Sequence, residues 1–285
     1  MKKPYLLFFL TFSSAISRLP SAKATDNSPL GSRSAGMGNV SVSLFDVWSV
    51  QNNQAGLGFQ RTFAGGIAYE NPFLVKELST RALGLAVPVK GGTFGVLVSN
   101  FGYSLYRENK AGLSFGKAFG EKISAGISVD YFGTAISEYG KKNSFTAEMG
   151  ILAKPLKNLT LGAHIFNPLR TKILEYSDER IPTILRLGFN YKFSEKVFVA
   201  VETEKDIAKK SMVKAGLEYK PIRVLYLRAG VASNPSLSCF GMGISMNQFR
   251  LDISSTYHST LGFSPQVSLI YQLEKIAKTD SQTFK

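Results

Sequence analysis

Apolar and polar residues alternate along most of the chain that follows residue 60. In the run that begins at Phe249, Leu251 and Ile253 share one face with it, while Arg250 and Asp252 share the other. A period of two residues is typical of β-strands with one apolar and one polar face. Such runs predict fourteen strands, with approximate spans 62–70, 80–89, 92–101, 110–119, 121–134, 144–154, 158–166, 183–193, 196–204, 212–220, 222–231, 238–246, 249–257 and 263–273.

The connections between these predicted strands alternate between short and long. Ser194-Glu195 is a short connection, and Asn167–Pro182 is the longest. Outer-membrane barrels have an even number of strands of about 9–11 residues, short turns on one side and longer loops on the other. The pattern therefore predicts an all-β fold, a 14-stranded antiparallel transmembrane β-barrel with both chain ends on one side. A soluble β-sandwich also alternates in this way and is the alternative.

The polar face of the predicted strands carries charges of both signs, which in a barrel would lie in the lumen and pair there. Gly126 and Gly230 fall on the same face. Glycine weakens a strand, so these positions indicate close approach by another backbone, although relief of curvature in a closed barrel is a second explanation. The predicted lumen charges are Glu148, Arg186, Lys192, Glu202, Glu218, Arg228, Arg250 and Asp252.

Residues 31–59 do not alternate, and they are rich in Gly, Ser and Asn. They include Trp48, the only tryptophan of the chain. Asp46 is positioned to cap a short helix over residues 47–52. We expect this stretch to form a hatch or plug inside the barrel, with Trp48 as a packing anchor.

Three motifs in this stretch carry a family resemblance: Ala35-Gly36-Met37-Gly38, Asp46-Val47-Trp48 and Asn53-Gln54-Ala55-Gly56-Leu57-Gly58. Together they resemble the amino-terminal signature of the FadL-like outer-membrane superfamily, and the compact PorV/PorQ-like branch fits best. Gln54 stands where the family motif has proline, and Asn39 replaces a glycine. The resemblance implies a fourteen-stranded barrel with an inward N-terminal hatch, whose residues here are Met37, Gly38, Asp46, Trp48, Asn53, Ala55, Gly56 and Leu57.

The first residues have the parts of a cleavable signal peptide. Lys2 and Lys3 form a basic start, Leu6 to Ile16 is apolar, and Ala22-Lys23-Ala24 has the small-x-small form of a cleavage site. The apolar stretch is too short to cross a bilayer. The predicted organisation is a signal peptide (1–24), a hatch or plug (25–61), a transmembrane barrel (62–273) and a polar periplasmic tail (274–285), in the outer membrane of a Gram-negative cell.

The net charge and the few cysteine and histidine residues limit which partners and which chemical activities are expected. The formal net charge is +14, and loss of residues 1–24 would leave +10. Basic residues are spread singly among acids, so anionic outer-membrane lipid is expected as a partner and nucleic acid is not. Cys239 is the only cysteine, and the two histidines, His164 and His258, are far apart in sequence. We predict that the protein is not an enzyme and has no metal or cofactor.

The resemblance leaves more than one function open. The main hypothesis is an accessory or structural barrel of protein export by type IX secretion, with residues 167–182 contacting a secretion-system or cargo protein. The alternative is a passive channel that takes a small hydrophobic ligand from the outer loops past the hatch. A third, plainer hypothesis is a structural barrel without cargo.

Overall fold

Fourteen antiparallel strands form the protein in a computed structural model that describes residues 27–137, 140–171 and 181–273. The signal-peptide and C-terminal tail predictions lie outside these residues. The strands are β1 (Ala64–Glu70), β2 (Thr80–Val89), β3 (Gly92–Gly102), β4 (Tyr106–Phe119), β5 (Ile123–Ile136), β6 (Gly140–Leu156), β7 (Leu159–Phe166), β8 (Ile184–Lys192), β9 (Val197–Asp206), β10 (Met212–Ile222), β11 (Leu225–Ala232), β12 (Leu237–Met246), β13 (Phe249–His258) and β14 (Gly262–Gln272).

The strands close into a single barrel. Each strand pairs with its neighbours in sequence, and β1 also pairs with β14, with Ala64 opposite Gln272 and Glu70 opposite Gln266. The predicted 14-stranded antiparallel barrel is therefore confirmed, and the β-sandwich alternative is wrong because one sheet closes on itself. Closure pairs every strand on both sides over at least part of its length, while residues 140–147 of β6 extend beyond the end of β7.

Alternation sorts the side chains between the two faces of this sheet. Along β5, Ile127 and Val129 are exposed on the outside, whereas Ser128 and Asp130 are buried inside. The outer surface is an apolar belt, which is the arrangement of a barrel that faces lipid. Further exposed members of the belt are Ile67, Leu113, Phe145, Ile151, Val213 and Phe240.

The two ends of the barrel differ in their connections. At one end, here the turn end, tight turns join β2 to β3, β4 to β5, β6 to β7, β8 to β9, β10 to β11 and β12 to β13. The start of β1 and the end of β14 also lie there. The opposite end, here the loop end, holds the longer connections, including the one between Phe166 and Ile184.

Two strands are longer at the loop end than the alternation predicts. β4 begins at Tyr106 instead of residue 110, and β6 begins at Gly140 instead of residue 144. Tyr106 pairs with Ile136, which pairs in turn with Gly140, so the ladders continue beyond the alternating runs. Two connections predicted to be long, 102–109 and 135–143, are shortened accordingly.

Residues 27–60, here the inner segment, lie inside the barrel. The segment contains the short helices α1 (Ser32–Gly36) and α2 (Ser49–Asn52) and a 3₁₀ helix (Gln54–Phe59). Further 3₁₀ turns lie at the loop end (Pro72–Leu74 and Lys76–Leu78), and no helix among the described residues is long and apolar enough to cross a membrane. The main apolar core joins the inner segment to β1, β2, β3 and β14 through Leu30, Val47, Trp48, Val50, Leu57, Ala64, Ala82, Ala86, Leu97 and Ile270.

Glycines on the inner face of the barrel allow the inner segment to lie directly on the strands. A Cβ atom at Gly126 would come within 3.0 Å of the backbone of Gln54 and Ala55, and one at Gly230 would meet the backbone of Met37. The prediction of close backbone approach from these glycines therefore agrees with the geometry, whatever relief of curvature they add.

We expect Gly126→Ala to displace the inner segment, because the added methyl group has no room against its backbone. The expected cost is about 1–3 kcal/mol, as for other over-packed cores, with faster amide hydrogen exchange at residues 53–58. Gly133→Ala is the matched control on β5, where the added Cβ meets only the Tyr131 side chain at 3.0 Å or more. Equal exchange in the two variants would contradict the close-approach explanation.

Candidate functional site

The predicted hatch residues lie inside the barrel. Met37, Trp48, Asn53, Ala55 and Leu57 are at most 1% exposed, Gly38 and Gly56 are also buried, and Asp46 is half-buried. The Asp46 Oδ1 atom accepts a hydrogen bond from the Trp48 amide at 2.9 Å. This bond is close to the predicted cap, although α2 begins at Ser49, two residues later than predicted.

Asn53 holds the hatch turn together from within. Its Nδ2 atom donates to the Val42 carbonyl at 2.7 Å, and its Oδ1 atom accepts from the Ala55 amide at 3.1 Å. The next residue, Gln54, donates from Nε2 to the Glu148 Oε2 atom at 2.7 Å. The side chain that replaces the family's proline thus supplies a bond to the barrel wall that proline could not make.

Seven of the eight predicted lumen charges belong to a network made of three groups of ion pairs, the first of which is centred on Glu148 on β6. Its carboxylate lies 2.7 Å from Lys110 Nζ and 3.0 Å from His164 Nε2. Lys110 also lies 3.3 Å from Asp130 Oδ2. His164 is therefore a member of a buried polar cluster, and no group of three or more His, Cys, Asp or Glu side chains among the described residues could hold a metal.

The side chain of Glu202 on β9 binds backbone amides of the inner segment. Its Oε2 atom accepts hydrogen bonds from the Ser41 and Val42 amides, both at 2.7 Å, and its Oε1 atom lies 2.9 Å from Lys214 Nζ. Arg186 completes this group, 3.9 Å from Glu202 and 2.7 Å from Glu204. All of these side chains except Glu204 are at least 98% buried.

The remaining charges continue the network around β10, β11 and β13. Glu218 pairs with Arg33 of the inner segment at 2.9 Å and with Arg228 at 2.7 Å. Asp252 pairs with Arg228 at 2.8 Å and with Arg250 at 2.9 Å, and Arg250 reaches Asp46 at 3.0 Å. The inner segment is thus tied to the wall at charged groups on several strands.

Lys192 is the predicted lumen charge that does not join this network. It is the last residue of β8 and pairs with Glu195 in the adjacent turn, with 46% of its side chain exposed. Strand alternation predicts the face on which a residue lies but not its height along the barrel. The lumen prediction for Lys192 is therefore corrected to a position at the turn end.

Several partners in the network, among them Lys110, Arg33 and the Asn27 backbone, were not among the predicted site residues. Lys110 has the same parity as Gly112 and Gly116 on β4, so alternation alone would have found it. Arg33 and the Asn27 backbone, which accepts from Arg186, lie in an irregular segment. No periodicity assigns a face in such a segment, so only the structure could place them.

A cavity of about 220 Å³, here the apolar cavity, opens at the loop end above the inner segment, with six apolar side chains in a lining that also includes the charged residues Glu70 and Lys110. Ser28, Asn39 and Gln51 of the inner segment contribute polar atoms to its wall. His258, the last residue of β13, also lines it. The apolar part of the lining is formed by Leu30, Pro72, Phe73, Phe101, Pro235 and Leu237.

A second cavity of about 330 Å³ lies beside the first, and more of its lining residues are charged. The two share Ser28, Asn39, Glu70, Pro235 and Leu237 in their walls. The lining of the second also includes the charged residues Arg186, Glu204, Asp206, Lys209, Lys210 and Lys214. The first cavity therefore suits a hydrocarbon better than its neighbour does.

A third, smaller space of about 90 Å³ lies at the turn end and is lined by Asp46, Arg250 and Gln272 among others. The inner segment lies between this space and the two cavities at the loop end. The lumen is therefore occupied at mid-height and open at both ends.

A closed fourteen-stranded antiparallel barrel with an apolar outer belt defines the class of fold, that of outer-membrane β-barrel proteins. Solved structures similar to this chain include the toluene transporter TodX of Pseudomonas putida (14% identity, TM-score 0.67, 87% of this chain and 99% of that one). The Ralstonia pickettii toluene transporter TbuX (11%, 0.64, 87% and 99%) and a Pseudomonas aeruginosa FadL homologue (12%, 0.66, 86% and 98%) are also similar. No family model and no curated protein sequence matches the chain.

These identities are low, so the similarity shows the fold alone. The fourteen-stranded barrel that the FadL-like resemblance implies is confirmed as a fold. None of these three structures is named as a PorV/PorQ-like protein, and that finer assignment stays a prediction.

We expect Glu202→Gln to loosen the inner segment, because the substitution removes the negative charge that faces buried Lys214 and Arg186. Breaking a buried ion pair costs about 3–5 kcal/mol. Denaturant unfolding should show this loss, and the Ser41 and Val42 amides should exchange faster. Glu195→Gln, in the exposed pair with Lys192, is the control and should leave both measurements unchanged. The assigned role of Glu202 is wrong if the two variants behave alike.

Proposed function

We propose that the protein is an outer-membrane channel for small hydrophobic molecules. The apolar cavity at the loop end carries this proposal, since it combines two phenylalanines, two leucines and two prolines within a barrel whose outer surface is an apolar belt. Similarity to structures named as toluene transporters supports the same substrate class. A channel of this kind performs no bond chemistry, which agrees with the prediction that the protein is not an enzyme.

The size of the cavity supports a ligand with a single aromatic ring. An apolar protein cavity of about 150 Å³ is large enough to bind benzene. The cavity here measures about 220 Å³, so one ring with one or two short alkyl groups fits. Phe73 and Phe101 can contact such a ring edge-to-face, the arrangement that aromatic pairs favour.

In this function the inner segment acts as the hatch or plug between the loop end and the turn end. Its buried ion pairs and its apolar core with β1, β2, β3 and β14 hold it in the lumen. The proposed division of the chain keeps residues 25–61 for this role and residues 62–273 for the barrel, with a cleaved signal peptide before them and a periplasmic tail after them.

The protein-export hypothesis receives less support than the channel. The similar solved structures reported above are named as transporters or as a FadL homologue, and none of those names refers to secretion. The predicted partner-binding connection, 167–182, falls largely outside the described residues. We therefore favour the function that began as the alternative.

We expect Ser99→Phe to weaken binding of p-xylene at least ~10-fold, a loss of about 1.4 kcal/mol, because the new ring occupies the apolar cavity. Ser99 lies on the inner face of β3 and lines that cavity. Val98→Phe places the same side chain on the outer face, where Val98 is exposed. Binding is measured by calorimetry on the detergent-solubilised barrel. Uptake of p-xylene is then measured in cells that carry each variant.

The control should bind and take up p-xylene like the unaltered protein. If Ser99→Phe binds as tightly as Val98→Phe, the cavity is not the ligand site. If the unaltered protein binds no hydrocarbon at all, the channel proposal itself fails.

Deletion of residues 31–57 should open the lumen to small polar solutes, because these residues fill its middle. Proteoliposomes that contain the deletion variant are expected to swell in arabinose, while those with the intact barrel stay tight. Circular dichroism must first show that the deleted barrel retains its strands. If a folded deletion variant remains impermeable, the inner segment is not the barrier.

A further inference from the structure

The turn end of the barrel is strongly basic. The turns and the three strand residues nearest to each of them, together with residues 61–63 before β1, hold eleven basic side chains and only two acidic ones, Glu121 and Glu195. One of the eleven, Arg250, pairs with Asp46 and Asp252, and we name the other ten the basic collar. Its members are Arg61, Lys90, Lys117, Lys122, Lys154, Lys157, Lys192, Lys196, Lys220 and Arg223.

The basic collar runs most of the way around the barrel. Five of the six tight turns contribute at least one member, and the turn between β12 and β13, which contains Asn247 and Gln248, is the exception. A soluble protein that docks on one side of a barrel would need a localised patch. A nearly continuous ring instead matches a partner that surrounds the barrel.

Exposed apolar side chains lie directly beside the collar. Val89 precedes Lys90, Ile123 follows Lys122, and Leu156 precedes Lys157, with each apolar residue at least 45% exposed. The edge of the apolar belt therefore meets the collar within one residue along the chain. That is the height at which the headgroups of a bilayer would meet the basic side chains.

The loop end is not basic to the same degree. Counted with the same three-residue margin, its described strand ends and connections hold eleven basic and five acidic residues, and the sequence of residues 138–139 and 172–180 adds two basic and four acidic ones. The excess of positive charge is thus nine at the turn end and four at the loop end. The asymmetry exceeds what an even spread of the chain's net charge would give.

We propose that the basic collar binds the headgroups of anionic phospholipids in the leaflet that meets the turn end. Each Lys or Arg near an anionic surface is attracted to it within about a Debye length. The collar would fix the direction of the barrel across the bilayer and its height within it. This inference rests on the proposed membrane location and is independent of the hydrocarbon ligand.

The test measures how strongly anionic and zwitterionic lipids associate with the reconstituted barrel. Spin-labelled phosphatidylglycerol or phosphatidylcholine is added in trace amounts to phosphatidylcholine bilayers that contain the full barrel. Electron paramagnetic resonance then gives the relative association constant of each lipid. We expect phosphatidylglycerol to be favoured at least ~2-fold, with the preference falling as sodium chloride rises from about 0.02 to about 0.5 M.

Two charge-matched variants locate the binding surface. The collar variant replaces Lys90, Lys122, Lys157, Lys196 and Arg223 by glutamine. The loop variant replaces Lys76, Lys141, Lys205, Lys210 and Arg170 by glutamine, and all ten of these residues are exposed. Each variant loses five positive charges, four from lysine and one from arginine, so the net charge of the two is equal. Circular dichroism verifies that both are folded.

We expect the collar variant to lose most of the preference for phosphatidylglycerol and the loop variant to keep it. Equal loss in both variants would assign the preference to net charge and overturn the proposal. A larger loss in the loop variant, or no preference in the unaltered protein, would overturn it as well. Binding of p-xylene should be the same in both variants. A negative result for the lipid proposal would therefore not bear on the channel proposal, which the Ser99→Phe variant tests separately.

Discussion

Pairing of buried charge inside a closed barrel is the constraint on which the rest of the structure depends. Alternation along the strands places Lys110, Arg186 and Lys214 in the lumen, where each is at least 98% buried, and an unpaired charge in such a place is very costly. Carboxylates on nearby strands supply part of the compensation, and the inner segment supplies the rest. The backbone amides of Ser41 and Val42 bind Glu202, while the Arg33 guanidinium pairs with Glu218. The inner segment is therefore part of the barrel's electrostatic balance as well as an obstacle in its lumen.

The strand count could be predicted from the sequence because a period of two residues depends only on which face each side chain meets. Strand ends could not be predicted in the same way. Residues 106–109 are polar or aromatic without alternation, yet they extend β4 because the partner strand offers them a ladder. Lys192 shows the related limit, since parity placed it on the correct face but not at the correct height. Both differences arise from pairing partners that a local pattern does not contain.

The candidate site was less predictable than the fold for a similar reason. The motif residues of the inner segment were expected inside the barrel, and the glycines facing them indicated why a backbone could approach there. The loop-end cavity was not predicted, because its lining comes from distant elements, including Leu30, Phe101, Pro235 and Leu237. Gln54 is instructive in the opposite sense. The sequence shows only that Gln54 replaces the proline of the motif, whereas the structure shows that its amide donates to Glu148.

The two sides of the inner segment are held by different forces, and this difference bears on how a hydrophobic solute could pass. Ion pairs and charge-assisted hydrogen bonds hold the segment to β4, β6, β9, β10 and β13. On the side of β1, β2, β3 and β14, it is held by the apolar core around Trp48. Leu30 belongs to both that core and the lining of the apolar cavity. A hydrocarbon that moves inward from the cavity along β1, β2, β3 and β14 would meet apolar side chains, and its own apolar surface could replace the contacts that it breaks. Along the charged strands it would have to separate buried ion pairs, and a hydrocarbon has no polar group with which to compensate the separated charges.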